Sequence, residues 1–336
     1  MRRVVVVQSF WGGGSNQFLL RNLEMLRRHK ALAAVAVLYP TLQRRWGDVP
    51  VVSLSDPRSH FGTLRWFVRA MLMRLGVTPR ILARRPVDGL KQLLASTDAE
   101  VVLCQYATTA GRLWEALDGS GRDLFIHLHG ADTHEPMCPQ GHRRLVAEMA
   151  RRAILICNSR NTYDRMIGWA IPADRLVIKY PGVEVPSQPP VRESRESVTI
   201  LQLGRLVRFK GPERTIRAFE RACDQGLCGR LVLAGEGPLY DECRLLVSGS
   251  NHQDRIELLG AVGWEEGQRL RLESDIYTQH NVIDPETGQV EAYGVAVVEA
   301  MAEGLPVVGT RSGGVVETVV DGRTGVLVEP GDEIGQ

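Results

Sequence analysis

The chain has 336 residues, 44% hydrophobic and 24% charged, with 41 basic against 39 acidic side chains. That balance excludes a disordered chain, a collagen-like repeat and a disulfide-dense scaffold, and the length suits two domains of roughly 150 residues. The net charge of +2 is a cancellation: residues 1–190 hold 26 Lys and Arg against 15 Asp and Glu (+11), leaving 15 against 24 (−9) for the rest.

Short apolar runs at Val4–Gln8, Ala33–Leu38, Val101–Cys104, Leu124–Leu128, Ile154–Cys157 and Leu176–Tyr180 read as buried strands. Amphipathic stretches such as Gln17–Arg28 and Arg143–Arg152 lie between several of them. Strand–helix alternation predicts a parallel, doubly wound sheet. Residues Pro186–Ser197 interrupt it with three prolines and no apolar period, the signature of a linker. The alternation then restarts. Strands are predicted at Thr199–Leu203, Leu231–Ala234, Ile256–Leu258, Ile276–Thr278, Val307–Gly309 and Gly325–Val328, with helices at Pro212–Cys223, Trp264–Glu273 and Val295–Ala302. The expected organisation is an α/β chain of two Rossmann-like, doubly wound lobes facing a cleft: 1–186, a linker at 187–197, and 198–336.

The six cysteines show no CxxC pair and no framework spacing; several, such as Cys104 and Cys157, end apolar runs and read as buried thiols, which suits a reducing cytosol. The apolar run after Met1-Arg-Arg is too short for a signal peptide, and no run approaches the ~20 apolar residues of a membrane span.

In such sheets ligands sit beyond the carboxyl ends of the strands, and the polar motifs fall there. Gly294 marks a helix start, so the N–H groups at Gly294 and Val295 make an anion site. Glu299 lies in the second turn and Glu291 in the loop before it. Carboxylates flanking an anion site suit a phosphate ester of a polyol; the other reading is an ordinary helix with surface glutamates. Gly204-Arg205 through Lys210-Gly211 follows a strand, and its two cations could neutralise a diphosphate without a metal. Gly235 in Gly235-Glu-Gly-Pro238 permits close backbone approach. In the first lobe, Gly12-Gly13-Gly14 is no GxGxxG motif, which leaves backbone approach of Gly13 and Gly14 to a ligand, or a plain tight turn. His127, His129, Asp132 and His134 crowd one strand end, with His142 close by. A metal hydrolase is one reading of that cluster and a ligand-facing His129 the other.

Together these motifs resemble the retaining nucleotide-sugar glycosyltransferases of glycosyltransferase family 4, of GT-B fold, most closely over 198–332. The segments are Gly204–Gly211, Leu233–Pro238, Glu291 to Glu299 at E-x7-E spacing, Thr310–Glu317 and Asp321–Gly331. The looser first-lobe match runs through Gly12–Gly14, His129–Asp132, Asn158-Ser159 and Pro181–Val183. The resemblance implies that Arg205 and Lys210 hold the diphosphate of a UDP- or GDP-type sugar donor and that Glu299 binds ribose hydroxyls. It implies further that Glu291 and the amides after Gly294 position the transferred sugar, which His129 contacts from the opposite lobe. Retention, no bound metal and no separate cofactor belong to the same implication, as does a saccharide or lipid-linked acceptor in bacterial exopolysaccharide or lipopolysaccharide synthesis. Gln17, Pro181–Glu184 and the long polar insertion Gln279–Val290 depart from the family pattern. Members usually continue past Asp332, so the last helices are expected to be missing here.

Between Asp56 and Asp88 stand seven arginines, no acid, and interleaved Leu64, Trp66, Phe67 and Met71. Residues 57–87 therefore suit an anionic membrane surface, with a solvated basic helix face as the alternative. No recognition motif supports nucleic acid. The expected location is cytoplasmic, peripheral at the inner face of the membrane. Besides transfer and the metal hydrolase, a donor-binding subunit without catalysis fits the second-lobe motifs.

Overall fold

The computed structural model describes residues 2–10, 17–39, 41, 43–55, 86–188, 190 and 197–336. Gly13, Gly14 and nearly all of the basic stretch 57–87 lie outside the described residues.

The first half runs β1 (Val4–Gln8), α1 (Gln17–Arg28), β2 (Leu32–Val37), β3 (Arg45–Trp46), β4 (Val49–Ser53), α2 (Pro86–Ala95), β5 (Val101–Gln105), α3 (Ala107–Arg112) and α4 (Trp114–Asp118). It continues with β6 (Asp123–Leu128), α5 (His142–Ala150), β7 (Ala153–Cys157), α6 (Arg160–Gly168) and β8 (Leu176–Ile178). The described strands form one sheet in the order β3-β4-β2-β1-β5-β6-β7-β8. Pairing is parallel from β4 through β7. Only a strand buried on both faces tolerates the composition of β2, Leu-Ala-Ala-Val-Ala-Val, and all six of its residues are buried. The antiparallel β3–β4 hairpin turns on Gly47-Asp48 with Gly47 at φ +60°, and its two-residue β3 is too short to leave a period in the sequence.

The second half runs β9 (Val198–Leu203), α7 (Pro212–Asp224), β10 (Gly229–Ala234), α8 (Tyr240–Ser248), β11 (Ile256–Gly260), α9 (Trp264–Glu273) and β12 (Ile276–Thr278). It ends with α10 (Val295–Ala302), β13 (Val307–Thr310), α11 (Val315–Thr318) and β14 (Gly325–Val328). Its strands are parallel in the order β11-β10-β9-β12-β13-β14. Alternate residues of β10 feed two cores. Leu231 and Leu233 pack with Ile216 and Phe219 of α7 and Cys243 of α8; Val232 and Ala234 pack with Leu270, Val297 and Val315 on the other side. This is double winding, and it places the order reversal between β9 and β12. Four cysteines, Cys104, Cys157, Cys223 and Cys243, are packed in these cores. Burial pushes the Cys157 thiol up to about 12, so it serves as an apolar filler.

The compact units do not divide at the proline-rich segment. One comprises Met1–Cys157 with Met166–Val177, the other Asn158–Arg165 with Ile178–Gln336. The reason is Glu317 of α11. Its carboxylate accepts the N–H groups of Arg160 (2.6 Å) and Asn161 (2.7 Å) and the Tyr180 hydroxyl (3.1 Å). Tyr180 also stacks on Tyr293 at 5.6 Å. Residues before the prolines are thereby tied to the second sheet.

His280, fully buried after β12, holds the segment beyond β14. Its Nε2 accepts the Gly331 N–H at 2.9 Å, so Nδ1 carries the proton and donates to Gln336 Oε1. Burial pushes its pKa below the ordinary value. A histidine held neutral in the fold gives stability that is complete above its unfolded pKa of about 6.5 and is lost as the pH falls below that. Melting temperature followed from pH 7.5 to 5.5 is expected to fall more steeply for the wild type than for His280→Gln; equal slopes would refute the assignment.

Candidate active site of the second unit

The order reversal of a doubly wound sheet leaves a crevice beyond the strand ends, because the flanking connections leave in opposite directions. In the second unit that crevice lies beyond β9 and β12. The connections leaving those strands carry Gly204–Gly211 and Gln279–Gly294.

The two connections meet in an ion pair. Lys210 Nζ lies 2.7 Å from Glu291 Oε2, and the side chains are only 14% and 12% exposed. Gln279 Nε2 donates to the same Glu291 oxygen at 3.4 Å. The Tyr277 hydroxyl is shared between Gln279 Oε1 at 3.1 Å and the Leu203 carbonyl at 3.0 Å. A polar chain thus runs from the end of β9, through β12, to the glutamate. Burial would push the Glu291 carboxyl up. The Lys210 ammonium, the Gln279 amide and the Gly294 N–H outweigh it, and the group is held below its ordinary value as a carboxylate.

Glycines let these loops close on one another. A Cβ on Gly235 would lie 1.9 Å from the Gly204 carbonyl oxygen, one on Gly211 2.1 Å from that of His280, and one on Gly313 2.1 Å from that of Glu291. The Gly314 N–H donates to the Glu291 carbonyl at 2.8 Å. What Gly235 admits is therefore neighbouring backbone. Gly294 caps α10 at φ +85°, and its N–H serves the Glu291 carboxylate, with Val295 half-buried beside it. The insertion at 279–290 folds on itself: Asp284 Oδ1 accepts the N–H groups of Glu286 and Thr287, and Gln289 and Val290 are buried.

Glu299 lies on the second turn of α10, 14% exposed, with Arg271 Nη1 of α9 at 3.4 Å from its Oε2. Arg205 is exposed on the loop after β9. Arg208 makes only a half-exposed pair with Glu242 at 3.8 Å. No motif singles out Tyr277 or Gln279, whereas Glu317 closes the Thr310–Glu317 segment of the family resemblance. Arg271 does leave a trace, since Gly267, Leu270, Arg271 and Ser274 recur at the spacing of a buried helix face.

His129 belongs to the first unit and directly follows β6. Its Nε2 bonds Gln105 Oε1 at 2.7 Å, and its ring packs on Tyr106 and His127 at centroid distances of 4.5 and 4.3 Å. Tyr106 sits at φ +72°, a strained conformation for a tyrosine. Asp132 is buried and accepts the N–H groups of His129 (2.9 Å) and Ala107 (2.7 Å). Burial pushes its carboxyl up against those two donors. His134 Nδ1 donates to the Gly130 carbonyl, and His142 Nε2 to that of Asp132, both at 2.8 Å. Asp132, His134 and His142 thus hold the loop that follows β6. Among the described residues no three His, Cys, Asp or Glu side chains are grouped to hold a metal ion, so the metal-hydrolase reading is not favoured.

Residues 187–335 match the family model described as glycosyl transferases group 1. Similar curated proteins include the amylovoran biosynthesis glycosyltransferase AmsK of Erwinia amylovora, 28% identical over 66% of this chain and 55% of its own length. WcaL of Escherichia coli, named for colanic acid biosynthesis, is 26% identical over 78% of this chain and 65% of its own. The chain thus spans less than two thirds of the length of either relative. HepE of Anabaena, solved with UDP and glucose, superposes with a TM-score of 0.75 at 19% identity, covering 99% of this chain and 87% of that one. Sucrose-phosphate synthase of Thermosynechococcus elongatus gives 0.74 at 18% identity, with the same coverage of both chains. Those likenesses are of fold, two parallel-sheet α/β units of the GT-B class.

Proposed function

We propose that the chain is a retaining, metal-independent glycosyltransferase. It moves a sugar from a UDP- or GDP-type donor to a saccharide or lipid-linked saccharide in bacterial polysaccharide synthesis. The observation that carries this reading is the buried Lys210–Glu291 pair at the order reversal of the second sheet, one helix turn and a half before Glu299. A cation and a carboxylate held side by side suit a donor with an anionic leaving group next to a hydroxylated ring. The group 1 match over that unit, and bacterial relatives named for amylovoran and colanic acid synthesis, point the same way.

In the proposed step the C1–O bond to the diphosphate breaks and a C1–O bond to the acceptor forms on the same face. The acceptor proton passes to the departing phosphate oxygen, so no protein nucleophile is needed. Lys210 and Arg205 offset the charge that grows on the diphosphate, a stabilisation that is strong because the ammonium is largely withdrawn from water. Glu291, kept ionised by Lys210, accepts hydroxyls of the transferred sugar, and Glu299 accepts those of the ribose. His129 keeps the sugar-contacting role that the family resemblance gives it. No helix of the described residues is long and apolar enough to cross a membrane. Cytoplasmic location, and contact of residues 57–87 with the inner membrane face, form part of the proposal.

A thermal-shift panel of UDP, GDP, ADP and their sugars is expected to raise the melting temperature for one base. With that donor and a lipid-linked saccharide, the product should keep the anomeric configuration by NMR, and turnover should survive chelator. An inverted product or chelator-sensitive turnover would overturn those parts, and no response to any nucleotide would overturn the whole. Flotation with anionic vesicles reads out the membrane part, which absence of binding at low salt would remove.

A further inference from the structure

Arg271 is a side chain that the proposed chemistry does not use and that the fold has gone to some length to bury. It sits on the inner face of α9 with 3% of its side chain exposed. An arginine there needs carboxylates, since an unpaired buried charge is not tolerated. Two are supplied, by Glu299 of α10 and by Glu303 at the C-cap of that helix, and they grip different edges of the guanidinium. Glu303 takes the Nε–Nη2 edge with bonds of 3.0 and 3.1 Å. Nη1 is directed to Glu299 Oε2 at 3.4 Å.

Glu303, the C-cap of α10, stands one turn beyond Glu299, its N–H on the Glu299 carbonyl at 3.1 Å, and two like charges so placed repel. A planar cation between them removes the repulsion. The two-point grip of Glu303 fixes the guanidinium plane, and the plane fixes the direction from which Nη1 meets Glu299. A lysine cannot do this, because an ammonium on a flexible stem has no edge for Glu303 to hold.

We propose that Arg271 is the positioning residue for Glu299, holding its carboxylate oriented to receive the vicinal hydroxyls of the donor's ribose. The inference rests on the reading of Glu299 as the ribose-binding carboxylate. Arg271 itself touches no ligand. Its effect is confined to the ribose and leaves the diphosphate end, carried by Lys210 and Arg205, as it is.

The test is calorimetric titration of the full chain with UDP, GDP and ADP and with the 2′,3′-dideoxy form of each, using whichever base binds most tightly. Wild type is expected to favour the ribose form about ten- to hundredfold, the range for hydrogen bonds to a charged group. Arg271→Lys is expected to bring that preference within about threefold while its affinity for the dideoxy form stays at the wild-type level. Glu299→Gln should do the same, and the double variant should lose no more than the worse single one. Should Arg271→Lys fail to fold, the charge-balanced Arg271→Gln/Glu303→Gln variant carries the same expectation. Full ribose preference in the Arg271 variants, beside its loss in Glu299→Gln, would make Arg271 a stability residue only and overturn the inference. A Glu299→Gln protein that keeps the preference would overturn the inference through its Glu299 premise, with donor binding intact. A wild type that binds none of the nucleotides would overturn the donor reading and the inference with it.

Discussion

An ammonium and a carboxylate that are each nearly nine-tenths withdrawn from water must be kept together by the rest of the structure, because either one alone would be a buried charge. Lys210 and Glu291 stand in that relation. Leaving one of such a pair unpartnered costs about 3–5 kcal/mol, a large share of a typical domain's stability. The second unit is arranged around avoiding that. Lys210 leaves β9 through a loop whose entry at Gly204 is pressed by Gly235, and whose exit at Gly211 is pressed by the His280 carbonyl. Glu291 ends an insertion closed on Asp284 and is held from behind by Gly313 and Gly314. Gly211, Gly235, Gly313 and Gly314 each stand where a Cβ would force two backbones apart, and with them the two charges.

The same constraint explains why the site lies at this sheet position. Neighbouring β9 and β12 are consecutive in space but distant in sequence, so the connections that leave them can bring in residues 81 positions apart. Tyr277 and Gln279 then link the strand ends to Glu291 from below. Arg271 does for Glu299 what Lys210 does for Glu291, one helix turn deeper. Two carboxylates are thus each fixed by a cation, one cation facing the ligand side and one facing the core.

Much of this was legible in the linear chain, for identifiable reasons. Strands such as Val4–Gln8 and Leu231–Ala234 are uninterrupted apolar runs bounded by polar or glycine-rich loops, and they fall where expected. Pro212 and Gly294 mark helix starts through φ restriction and left-handed freedom. Glu291 and Lys210 carry charge in loops beyond strand ends and Glu299 in the second turn of the following helix, and that placement is visible without a structure. The two-residue β3 and the four-residue α11 are too short to generate a period. The histidines near residue 130 show composition but not direction: His134 and His142 bond carbonyls of the 130–132 loop, whereas His129 bonds Gln105 at the end of β5, which spacing along a strand cannot reveal. The division at the prolines missed Glu317, since a carboxylate 157 residues away from the backbone N–H it accepts leaves no local mark.

The charge asymmetry takes a more definite form. The second unit is acidic overall, yet its strand-end loop carries Arg205, which is exposed, beside Lys210, which is held by Glu291. Such an arrangement favours an anionic ligand at one place and discourages it elsewhere. The central claim is that Lys210 and Glu291 act as one unit on the donor. A double-mutant cycle of Lys210→Ala and Glu291→Gln, read as kcat/KM for the preferred donor in proteins shown to be folded, tests it most directly. The account predicts that each single change lowers kcat/KM by about 100-fold or more and that the double change is no worse than the poorer single. Single variants within about twofold of wild type, or losses that simply multiply, would contradict it.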